Sequence, residues 1–95
     1  MDIAGERLPN VMVQVYDARR RQVGRRAGLI ARPHHTFARV MSQMCRLRGL
    51  DLADYDVWSG ALLLNGCTDQ IRTFGIPDGE WLEVAMHPKS MDSCF

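Results

Sequence analysis

Leu62-Leu63-Leu64-Asn65-Gly66, and after it Asp69-Gln70-Ile71-Arg72-Thr73-Phe74-Gly75-Ile76-Pro77-Asp78-Gly79-Glu80-Trp81-Leu82-Glu83-Val84, is the stretch that decides the fold. It reads as a short apolar strand over Ala61 to Gly66, a polar turn, a connector, a tight turn and a final strand. Ile71, Phe74 and Ile76 are spaced to plug a core beneath a short helical turn. Pro77-Asp78-Gly79 is a turn by its chemistry: proline sets φ, and glycine tolerates a positive one. In the last strand Leu82, Val84 and Met86 share one face, while Trp81, Glu83 and Ala85 share the other. Pro88 ends it.

Upstream, Val11-Met12-Val13-Gln14-Val15-Tyr16 alternates, with three β-branched valines on one side. Asp17-Ala18-Arg19-Arg20-Arg21 makes the turn. Gln22 to Ile30 returns antiparallel, with Val23, Ala27 and Leu29 in parity and Gly24 and Gly28 as bulge candidates. Arg32-Pro33-His34-His35 is a loop, since Pro33 disfavours helix at the residue before it. Thr36 then caps a helix from Phe37 to about Arg48. Its apolar stripe is Phe37, Val40, Met41, Met44 and Leu47, with Gly49 as the stop. Cys45, next to the stripe, reads as a small core filler, and Trp58 as a residue partly exposed on an edge strand or shielding the core at its rim.

These elements predict an α+β domain of order β-β-α-β-β, a mixed sheet packed on one helix, with its first and last strands parallel at the centre. Residues 1–9 form a lead, 10–88 the domain and 89–95 a patternless tail. Over roughly residues 10–87 the chain resembles the ubiquitin-like β-grasp superfamily. Thr36-Phe37-Ala38-Arg39-Val40 is similar to that family's helix entry. The quoted stretch is similar to the end of the YukD/EsaB-like branch found beside type VII secretion systems.

The resemblance implies a non-catalytic adaptor that works through a surface and binds another protein. In ubiquitin the partner patch is the outer sheet face, and the matching positions here are Leu63, Glu83 and Ala85. Glu83 departs from the family's apolar-plus-histidine pattern. Trp81, by parity on the same face, supplies a different anchor, because tryptophan is enriched at interface hot spots. No Gly-Gly pair occurs in the sequence, so conjugation of the ubiquitin type is not expected. The resemblance also leaves three narrower roles open: a type VII secretion accessory factor, a small regulatory subunit of a multicomponent enzyme, or the N-terminal domain of a larger scaffold protein.

Composition narrows the classes further. Ninety-five residues suit one domain, and 46% hydrophobic with 24% charged residues is ordinary globular usage. Net charge is +1, so no overall field draws nucleic acid or membrane. Three cysteines without ligand spacing argue for a reducing, cytoplasmic setting rather than a disulfide framework. No membrane span or signal-peptide pattern is present.

Arg19, Arg20, Arg21, Arg25 and Arg26 are expected to gather at one end of the first hairpin as an electrostatic rim. No aromatic residue interleaves with them, so a stacking platform for single-stranded nucleic acid is not expected. His34, His35 and His87 show no zinc-type spacing, and Cys67 has no base and orienting group in its sequence neighbourhood. The expectation is no cofactor, no metal and no catalytic residue.

Overall fold

The computed structural model describes residues 8–89, so most of the expected lead and tail lie outside the described residues. The elements are β1 (Val11–Tyr16), β2 (Gln22–Leu29), α1 (Phe37–Arg48), β3 (Tyr55–Ser59), β4 (Leu62–Leu63) and β5 (Leu82–Pro88), with short 3-10 turns at Leu52–Asp54 and Ile71–Phe74. The fold is α+β, one helix on a five-stranded mixed sheet of order β2-β1-β5-β3-β4. The expected order gains a strand: Tyr55 to Gly66 reads in sequence as either a strand pair or one strand with an irregular lead-in, and it is the pair that forms, with the second strand only Leu62–Leu63. The expected parallel pairing at the centre is present: Val11 faces Leu82, Val13 faces Val84, and Val15 faces Met86.

Alternation in β1 and β5 buries one face of the sheet. Val11, Val13, Val15, Val84 and Met86 are all buried, and β3 adds Val57 from the same side. The helix closes this core with Phe37, Val40, Met41, Met44 and Cys45. The Thr36 hydroxyl accepts the N–H of Arg39 at 3.2 Å, and Gly49 stops the helix in a left-handed conformation at φ 70. Leu47 departs from the stripe: it is 79% exposed. At 100° per residue it lies about 90° from the centre of the buried arc, and Cys45 takes the flank that meets the sheet.

The connector after β4 docks on the start of the helix. Phe37 donates its N–H to the Asp69 carbonyl at 2.8 Å and Ala38 to the Cys67 carbonyl at 3.0 Å. Ile71 is buried beneath the 3-10 turn, and the rings of Phe74 and Phe37 lie 5.6 Å apart. The Pro77-Asp78-Gly79 turn closes by a bond from Glu80 N–H to the Pro77 carbonyl at 3.1 Å. Among the described residues, no helix is long and apolar enough to cross a membrane.

Candidate functional site

Among the described residues one helix covers one face of the sheet, and the opposite face has no layer of its own. The strand register shows what occupies it. Leu63 pairs with Trp58, Trp58 pairs with Ala85, and Ala85 pairs with Gln14, so these four side chains form one row across β4, β3, β5 and β1. Cross-strand partners share a face. The next row holds Met12 beside Glu83, and the row on the other side holds Asp56 beside His87. Leu63 is 48% exposed, while Trp58 and Ala85 are half-buried beside it.

Trp81 sits just before β5 and is 43% exposed. Its indole N–H donates to Glu83 Oε1 at 2.9 Å, and the Arg26 guanidinium donates to the same oxygen at 3.1 Å. The guanidinium carbon also lies 5.7 Å from the indole centroid, within cation–π range. Glu83 therefore holds a basic and an aromatic side chain together two positions from Ala85. Its carboxylate, which breaks the ubiquitin-type pattern, is the hub of a local cluster.

Beneath the row lies Gln14, only 8% exposed although it points away from the helix. Gly24 takes φ 68 where the β1–β2 register slips between Val13 and Val15. This bulge brings the Gly24 carbonyl within 3.4 Å of the Gln14 amide nitrogen, which also donates to the Val15 carbonyl at 3.0 Å. A β-bulge bends its strand and re-aims neighbouring side chains. Gly28 makes no bulge; a Cβ there would come within 3.1 Å of Pro9.

The five arginines do not share one place. Arg19, Arg20 and Arg21 lie in the hairpin turn, where the Asp17 carboxylate accepts the N–H groups of Arg19 at 2.8 Å and Arg21 at 2.9 Å. The backbone N–H of Arg21 is the main reason the Asp17 carboxyl is held below its ordinary range; desolvation, the next largest influence, opposes it, and the N–H of Arg19 and the Arg21 charge add to the lowering. Arg26 turns instead to Glu83, which pairs with Met12 at the far end of β1 from the turn. The Arg25 carbonyl accepts from Arg48 of the helix at 3.4 Å.

Between the hairpin turn and β3 the face dips into a cleft of about 780 Å³, lined in part by Asp17, Arg20, Asp56, Trp58 and Ala85. His87 lies in its wall, stacked on Tyr16 with ring centroids 4.5 Å apart. Among the described residues no three His, Cys, Asp or Glu side chains gather as a metal site would require. His34 and His35 meet edge to face beside the helix start. Desolvation first, then the charges of His34, Arg39 and Arg32, push the His35 imidazole below its ordinary range.

Trp58, read in sequence as partly exposed on an edge strand and not counted among the partner-binding residues, lies within the surface row. Its signal lay in Asp56-Val57-Trp58: once Val57 is assigned to the core, Trp58 must face outward. The burial of Gln14 had no sequence signal, because it depends on the bulge in the neighbouring strand. No family model matches this chain, and no curated protein and no solved structure matches it.

Proposed function

We propose that this chain is a non-catalytic, ubiquitin-like β-grasp module that acts in the cytoplasm and binds another protein through its outer sheet face. The parallel pairing of β1 with β5 and the single helix on one face support the β-grasp reading. The observation that carries the interaction role is the Leu63–Trp58–Ala85 row. It sets apolar side chains in register on the face the helix does not cover, flanked by the Trp81–Glu83–Arg26 cluster. Interfaces concentrate their energy in a few aromatic and arginine anchors surrounded by weaker contacts, and both residue types are present here. Arg19, Arg20 and Arg21 form an outlying basic rim that acts on encounter rate more than on affinity.

Pull-down from the native cell tests this reading. Wild type is compared with a Leu63→Asp/Trp58→Ala variant and with a Trp81→Ala variant, each shown by circular dichroism to stay folded. Loss of one specific partner from the double variant is the expected result. Equal recovery of every partner by wild type and the double variant removes the outer face as the docking surface.

A further inference from the structure

The start of α1 gathers basic side chains that the outer sheet face does not use. Arg32-Pro33-His34-His35 leads into the helix, and the His35 N–H donates to the Arg32 carbonyl at 3.0 Å, closing the loop as a turn. The connector pins that turn from its other side. Ile71 donates to the His35 carbonyl at 2.8 Å, and Arg72 to the Pro33 carbonyl at 3.0 Å. Backbone bonds thus hold the loop against the first helical turn, where Arg39 follows. The His34 and His35 rings meet edge to face with centroids 4.5 Å apart. Arg32, His34 and Arg39 are exposed, and His35 is half-buried.

The charge of this cluster is left unbalanced. Among the described residues ion pairs join Arg21 to Asp17 and Arg26 to Glu83, and none reaches Arg32, His34, His35 or Arg39. Asp69 lies close, since its carbonyl accepts the Phe37 N–H, yet its carboxylate pairs with none of them. Arg72, exposed on the connector, is a further cation nearby. The first turn of the helix holds no acidic residue, although the helix dipole favours carboxylates there and disfavours a cation such as Arg39. Besides desolvation, the charges of His34, Arg39 and Arg32 all oppose protonation of His35. Chains break local rules of this kind at functional sites. The helix end itself is closed to a ligand: Phe37 and Ala38 donate to the Asp69 and Cys67 carbonyls, and Arg39 to the Thr36 hydroxyl. Binding falls to the side chains.

We infer that Arg32, His34, His35 and Arg39 form a binding site for a phosphate monoester on a partner peptide, a phosphoserine or phosphothreonine. Such a group brings a charge of about −2 and three acceptor oxygens, which two guanidiniums and an imidazole can share. Arginine clusters are a recurring means of reading phosphorylated segments. A nucleic acid fits less well, because its affinity comes from neutralising many phosphates along a track, and this patch is confined to one turn on a chain of net charge +1. The site is separate from the Leu63–Trp58–Ala85 row, so either can fail without the other.

The test follows the imidazole resonances and the Arg39 amide of the full chain by NMR. The probes are a degenerate peptide mixture with a fixed central phosphoserine, the same mixture with serine, inorganic phosphate, and an oligothymidylate single strand. The phosphoserine mixture is expected to move the His34, His35 and Arg39 signals and to raise the titration midpoint of His35, because a bound anion offsets the charges that lower it. An Arg32→Gln/Arg39→Gln variant that retains its circular dichroism is expected to bind about tenfold more weakly or worse, and Arg19→Gln/Arg20→Gln to bind as wild type does. Unmoved imidazole signals overturn the inference, and so does equal weakening in the two variants. Binding no tighter than that of inorganic phosphate assigns the patch to the free ion and overturns it too. Tighter binding of the oligothymidylate than of the phosphoserine mixture overturns it in favour of nucleic acid.

Discussion

The two faces of the sheet are built from the same strands and follow opposite rules. On the helix side, the side chains of Val13, Val57, Val84 and Met86 are buried and are held by apolar packing. On the outer side a buried glutamine, a carboxylate hub and three half-exposed apolar side chains share one surface, held by directed bonds. Adjacent leucines show the contrast in one step: Leu64 is 6% exposed in the core and Leu63 is 48% exposed on the outer row. The lesson is that identity of residue type says little about role here; parity within the strand decides it.

Four measurements press on that contrast. Met86→Ala, at a fully buried position, is expected to lower stability by about 2–5 kcal/mol, read as a lower urea midpoint. A loss under 1 kcal/mol, on the order of a surface change, would mean the helix face is not a packed core. Gln14→Ala follows: removing the buried amide leaves two carbonyls without their donor and should cost about 1 kcal/mol. Faster hydrogen exchange around Gly24 should accompany it, and unchanged exchange would dissociate the bulge from Gln14.

Leu63→Ser should change stability by less than about 0.5 kcal/mol while Leu64→Ser unfolds a large fraction of the molecules. Equal effects from the two leucines would erase the distinction between faces. The smallest effect is confined to the hairpin turn. Asp17 is held below its ordinary 3.8. Its support of the turn is therefore complete above that value and lost as pH falls through the lowered one. The amide resonances of Arg19 and Arg21 should titrate with a midpoint under 3.8; a midpoint at or above it would detach the carboxylate from the turn.

Local features were legible in the sequence because local physics makes them. Thr36 and Gly49 sit at the helix ends, Gly24 takes the bulge, and Pro77-Asp78-Gly79 turns, each for a reason contained within a few residues. Leu47 misled because a spacing of ten residues keeps it in the periodic list while carrying it about 90° from the centre of the buried arc. The outer row was legible in part. Leu63 and Ala85 follow from strand parity, and so does the outward face of Trp58 once Val57 is in the core; its place between Leu63 and Ala85 required knowing that β4, not β3, is the edge strand. The dispersal of the arginines was not legible: Arg25 and Arg26 left the hairpin turn because the bulge and the distant Glu83 redirected them.

The parallel pairing of β1 with β5 has a consequence for how the chain is made. Val11 leaves the ribosome early, yet its central partner Leu82 emerges only after the helix, the connector and the Pro77-Asp78-Gly79 turn. The hairpin and helix can form as they appear, but the sheet stays split down its middle until translation has passed β5. Pairings this distant in sequence make folding slow and leave strand edges exposed meanwhile. The valines of β1 are thus the residues a nascent-chain chaperone would have longest to find.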